Sequence, residues 1–389
     1  MTTITDFPGI RPSLLLDFAN SGRVDPRISC VRASTATCFA PDGKLRTVAN
    51  NAPRIDFDLA SGACQGLLVE ETRTNLLTYA ADMSQGWVKG SAAQWSVGTG
   101  FNGSGNHVRV LGLRNYSISP DAACIYNTSV PVVAGTRHVF SMYLRLLPDS
   151  PSNRVMLRVR QSDGSNIYSP PLILTDRWAR YSLALTIGEG ITFVAAIFGT
   201  PGDTDVVNCE IACGQFEQGE FATSFIPTIS TAVTRAADLL HIDHTLPPVG
   251  AVVASVAGLA LANTANAYIW SAHNPADTNA DHAYAYFSGS NNRTNWWVNK
   301  GGVGQSGGNI AGRPLGIGMS FDATGKAAAL AAGSLITKDT TRPRDFPANL
   351  SQLRLGRSIS NNGFLGGCIS RLAVYSGRIT DAQLQRLTA

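Results

Sequence analysis

The chain of 389 residues carries 31 Lys and Arg against 27 Asp and Glu, a formal net charge of +4, spread thinly with no basic run. That excludes the electrostatic footprint of a nucleic-acid or membrane-surface binder. With 44% apolar residues, 15% charged residues, 38 Gly and 19 Pro, it is too apolar for disorder and rich in the turn formers of β architecture.

The length suits two or three domains. The opening MTTITDFPGIRPSLLLDF has no basic start leading into a long apolar run, and no window of about 18 apolar residues follows elsewhere. The expectation is synthesis in a cytosol without Sec export or membrane insertion.

Residues 1–80 hold short strand candidates, PSLLLDFA, RIDFDLA and QGLLVEE, among loops. So loop-rich a block needs a neighbour or partner subunit to complete its core. DGK at 42–44 and SDGSN at 162–166 read as hairpin turns, since neither has the alternating acids and distal Glu of a calcium loop. Residues 81–237 alternate with period 2 in RHVFSMYLRL, NRVMLRVRQ, RWARYSLALTI, ITFVAAIF and VVNCEIACGQFE, the pattern of antiparallel sandwich strands. Trp87 and Trp178 are read as core residues. Seven scattered cysteines lack zinc spacing and read as small, buried, reduced side chains. Cys209 and Cys213, four apart in a strand, should share a face.

Residues 238–389 form the third block. In HIDH, His241 and Asp243 share a strand face while His244 points away, so the trio reads as a solvated strand and not a metal site. Asp277, Asn279 and Asp281 alternate in NPADTNADH and are the best candidate calcium ligands; no other cofactor is expected. TDAQLQRLTA is the one persuasive helix, with Thr380 as cap and Leu384 and Leu387 on one face.

The first block resembles an entry segment of bacteriophage virion proteins. R-x-S-x-A-T from Arg32, then an aromatic and a D-G turn, APRIDFD, and G-L-L-V-E-x-x-R-T-N-L-L from Gly66 occur in order. The middle block is similar to carbohydrate-binding-module jelly rolls, closing in GQFEQGEFATSFIPT and TRAAD. The last resembles concanavalin A-like or laminin-G-like sandwiches, through LRLGRS at 353–358, FLGGCISRLAVYSGRIT at 364–380 and DAQLQRL. The fold class is therefore all-β: a loop-rich attachment segment followed by two antiparallel β-sandwiches.

The resemblance implies a tail-fibre or head-fibre protein on the virion surface. Its first block would meet other virion proteins, and its likeness to phage fibres favours a homotrimer, although no heptad pattern occurs. The implied partner is a host polysaccharide or lipopolysaccharide. A sugar binder needs exposed rings with amide and charged neighbours. The third block supplies Trp270, Tyr284, Tyr286, Trp296 and Trp297, with Asn292, Arg293 and Asn295 beside them. Adjacent Trp296 and Trp297 on a strand must face opposite ways, one in and one out. Two rivals stand: a structural capsid-decoration or fibre-base protein, and a capsule depolymerase. Against the enzyme, no G-x-S-x-G, H-E-x-x-H or P-loop occurs. The close glutamates Glu70 with Glu71 and Glu217 with Glu220 are better read as ion-pair partners of Arg73 or Arg235 that fix a junction between blocks.

Overall fold

The computed structural model describes residues 11–98, 101, 107–114, 123–202, 204–260, 265–276, 281–321, 329–338, 346–377 and 379–389. Within them the protein is all-β, with two short helices, Phe18–Ser21 and Asp381–Leu387. Neither is long and apolar enough to cross a membrane.

The middle of the chain builds one sandwich. A five-stranded sheet runs in the order Ala179–Thr186, Arg137–Leu146, Val207–Gln218, Val108–Leu113, Gln94–Val97. It faces a six-stranded sheet containing Arg154–Gln161, Phe193–Gly199 and Ile125–Pro131. Alternate residues, among them Phe140, Met142, Leu157, Phe198, Ile211 and Phe216, meet between the two, with Trp87 and Leu77 closing one end. Cys209 and Cys213 do not share a face as alternation alone requires. Cys209 lies in this core, whereas Cys213 joins Phe39, Phe101, Tyr143 and Phe225 on the other side. Cys213 has a left-handed φ of 54°, and the register to the neighbouring strand slips between Ser141 and Tyr143. One extra residue at a bulge reverses the inside-outside phase of everything beyond it.

The second sandwich is assembled from both ends of the chain. Its eight-stranded sheet is centred on Gly250–Ala257 and Gly367–Ser376. The free edge of Gly367–Ser376 is covered by two N-terminal strands, Pro12–Asp17 and Cys64–Val69, with Arg54–Phe57 beyond the latter. The opposing seven-stranded sheet runs Ser29–Val31, Leu239–Asp243, Gln352–Leu355, Ala267–His273, His282–Ser288, Arg293–Lys300, Val303–Ala311. Residues 1–80 thus lean on the last block: Leu14, Leu16, Phe18, Leu67 and Val69 fill one core with Leu240, Leu353 and Leu372. The C-terminal helix is capped by Thr380 through a capping box and buries Leu384 and Leu387.

A buried ionic cluster ties the entry segment to the chain at the hand-over between sandwiches. Arg32 bonds Asp238 at 2.8 Å, Arg54 reaches both Glu70 (2.9 Å) and Asp238, and Arg235 lies 3.5 Å from Glu70. Ser224 donates twice more to Glu70, each at 2.6 Å. Burial opposes the Glu70 charge, but Arg235 and Arg54 beside it hold the carboxyl down to about 2. Glu71 pairs with Arg73, and Glu217 is spent on Gln215 and Thr223.

Candidate functional site

The seven-stranded sheet has two unlike faces. Inward go Ala283, Ala285, Phe287, Thr294, Trp296 and Val298, all buried. Outward, by the same alternation, go His282, Tyr284 and Tyr286 from one strand and Asn295, Trp297 and Asn299 from the next, all only partly covered. Antiparallel register sets these in rows: Tyr286 opposite Asn295, Tyr284 opposite Trp297, His282 opposite Asn299.

The rings on the outer face touch one another. Tyr268 lies 4.9 Å from Tyr284 and 5.5 Å from Tyr286. Tyr284 stacks on His282 at 5.5 Å and runs parallel to Trp297 at 6.4 Å. Two glycines seat the outermost rings. A Cβ on Gly304 would stand 2.0 Å from the Trp297 ring, and one on Gly363 would stand 2.7 Å from Tyr268. Burial raises the Tyr284 hydroxyl above its usual pKa, with Tyr268 and Tyr286 adding to it, so these phenols are neutral donors at physiological pH.

Of the sequence candidates, Tyr284, Tyr286, Asn295 and Trp297 are brought together here. Arg293 sits at the end of the same face, donating to Asn309. Asn292 holds the left-handed turn position of the hairpin at φ 50°, a conformation that asparagine tolerates well. Trp270 and Trp296 are not surface groups: they are 1% and 2% exposed inside the sandwich. For Trp296 the cause is simple alternation. For Trp270 it is a bulge, because the register slips between Tyr268 and Trp270. Ile269 and Trp270 both turn inward, leaving Tyr268 as the outward ring that alternation would have paired with Trp270.

Sequence reasoning missed Tyr268, His282 and the polar end of the face. There Arg354 donates to His273 at 3.0 Å, and His273 pairs across the sheet with His282. Burial, then Arg354 and Arg357, pull His273 down to about 4, so it is neutral and accepts from the guanidinium. The available signal was the period-2 run in LRLGRS, which sets Arg354 on the polar face between Leu353 and Leu355.

His241 and Asp243 lie on the outer face of an interior strand, with Leu240 and Ile242 buried on its other face. Among the described residues no three His, Cys, Asp or Glu side chains converge on a metal position. Of the calcium candidates, Asp277 and Asn279 lie outside the described residues. Asp281 accepts from the Gly301 amide at 2.6 Å, across a hairpin.

No protein-family model and no curated protein matches the sequence. Among solved structures, the CBM22-1 xylan-binding domain of Paenibacillus barcinonensis Xyn10C is 14% identical, covering 38% of this chain and 94% of its own at a TM-score of 0.29. The CBM22-1-CBM22-2 tandem domain of the same protein is 10% identical, covering 77% of this chain and 96% of its own, also at 0.29.

Proposed function

We propose that the chain is a non-catalytic glycan-binding protein of a phage fibre or spike, contacting a host surface sugar through Tyr268, Tyr284, Tyr286 and Trp297. The observation that supports this reading is the ring strip itself. Four aromatic side chains and an imidazole are kept out of a core that already holds Trp270 and Trp296, and are packed edge and face on the outer side of the sheet. A pyranose offers a C–H face to such rings and hydroxyls to neighbouring amides, here Asn295 and Asn299. Rings already seated on Gly304 and Gly363 lose little freedom when a ligand arrives.

A sheet face grips weakly at each site, so adsorption would rely on several copies acting together. The trimer and the attachment of residues 1–80 to other virion proteins belong to the same proposal. They are supported by the virion-type motifs in that segment.

The test is an array of host polysaccharides and lipopolysaccharides probed with the full chain and with Trp297→Ala and Tyr284→Ala. Each variant should lose about tenfold in affinity, the worth of one ring contact. If the wild-type chain binds nothing at millimolar ligand, or the variants bind equally well, the assignment fails. Phage lacking residues 238–389 that still adsorb would favour a structural role. New reducing ends released from capsule would favour a depolymerase.

A further inference from the structure

The aromatic strip ends on two arginines that, among the described residues, have no carboxylate partner. Arg354 gives its hydrogen bonds to neutral groups only: the Gln352 side chain, the carbonyls of Ser358 and Ile359, Asn361 Oδ1 at 3.1 Å, and His273. Arg357, 4% exposed, donates to that same Asn361 oxygen, and its Nε has no hydrogen-bond partner. Two guanidiniums therefore converge on one amide oxygen.

Three other buried arginines among the described residues show what is missing. Arg32 and Arg54 each have a carboxylate within 2.9 Å, and Arg235 has one at 3.5 Å. Asp243, on the outer face of the same sheet, is exposed and accepts from Gln352. A buried, uncompensated positive charge is unfavourable, and a neighbouring like charge adds to it. Burial, then Arg354, pulls the Arg357 guanidinium down to about 10, the electrostatic mark of that conflict.

The pair belongs to the ring strip. Ser271, which faces Tyr284 across the sheet, donates to the Arg357 carbonyl at 2.8 Å. Arg354 holds His273, whose cross-strand partner His282 stacks on Tyr284.

We propose that Arg354 and Arg357 form an anion subsite, and that the glycan taken by this face is an acidic one whose ring carboxylate enters between the two guanidiniums while neighbouring sugars lie on Tyr284 and Trp297. The inference rests on the reading of the face as a glycan site. A carboxylate accepts from planar guanidiniums in paired, charge-assisted hydrogen bonds, and it would relieve the repulsion that the free site carries.

The experiment prints each acidic bacterial polysaccharide twice, native and carboxyl-reduced, and measures affinity of the full chain for both. The native form should bind about tenfold more tightly, as expected for hydrogen bonds to a charged group, and Arg357→Gln and Arg354→Gln should bring that ratio close to one. Equal binding of the two forms by the wild-type chain overturns the acidic assignment without needing a folded variant. A preference that survives in both arginine variants overturns the subsite. A preference confined to phosphorylated polysaccharides, and lost on dephosphorylation, overturns the carboxylate. If Trp297→Ala abolishes binding while the native and reduced forms bind alike, the glycan face stands and only this inference falls. If nothing binds, both fall.

Discussion

Two tryptophans of one sheet separate packing from the proposed recognition. Trp270 is enclosed by the sandwich core, and its replacement by Ala leaves a cavity costing about 3–5 kcal/mol. Trp297 is part-covered on the outer face, so Trp297→Ala should cost about 1 kcal/mol or less in stability while removing the proposed sugar contact. Thermal unfolding of the two variants beside their binding measures both halves. Glu70 gives a pH prediction. Its folded pKa of about 2 lies below its ordinary 4.5, so its ion pairs stabilise fully above pH 4.5 and are lost as pH falls toward 2. Glu70→Gln leaves Arg54 and Arg235 with Asp238 as their shared carboxylate and should cost about 3 kcal/mol at pH 7. The gap in unfolding free energy between the variant and the wild type should close across that acid window; a gap constant from pH 7 to 2.5 contradicts the cluster.

Among the elements, the N-terminal strand Cys64–Val69 shows how closely the entry segment is fitted. Gly66 has a φ of 118°, and a Cβ there would stand 2.2 Å from the Ile369 carbonyl oxygen. The obstacle is backbone of the partner strand, which cannot swing aside as a side-chain tip does. Gly66→Ala should therefore cost about 2–4 kcal/mol and loosen the pairing of Gly367–Ser376 with the N-terminal strand. Amide exchange should show Leu67 and Ile369 losing protection before the strand Arg137–Leu146 of the middle sandwich. Equal loss in both places would mean that the defect is global and not seated at this strand.

For the whole molecule, the second sandwich is not a contiguous stretch of chain. Strands Pro12–Asp17, Ser29–Val31, Arg54–Phe57 and Cys64–Val69 complete both of its sheets. Residues 238–389 expressed alone would expose the apolar surface that Leu14, Leu16, Phe18 and Leu67 now cover, along with the unpaired edge of Gly367–Ser376. That fragment should lack a cooperative thermal transition, and residues 76–237, whose core is drawn from their own strands, should keep one. Cooperative unfolding of the isolated C-terminal fragment would show that the entry strands are dispensable.

Sequence alone determined the all-β class, most strand positions and the capped C-terminal helix, because period-2 alternation, turn residues and a capping box are local signals. It also showed that one of Trp296 and Trp297 faces inward. It did not determine which, nor that Trp270 is buried, because phase depends on bulges such as the one between Tyr268 and Trp270. The same cause parted Cys209 from Cys213. Which strands become neighbours was decided only by tertiary packing: Arg354 stands beside His273 through pairing across 81 residues, and Pro12–Asp17 beside Gly367–Ser376 across almost the whole chain. Contacts between residues so far apart leave no trace in spacing, since each strand's pattern records only that it has a buried face and not whose face it meets.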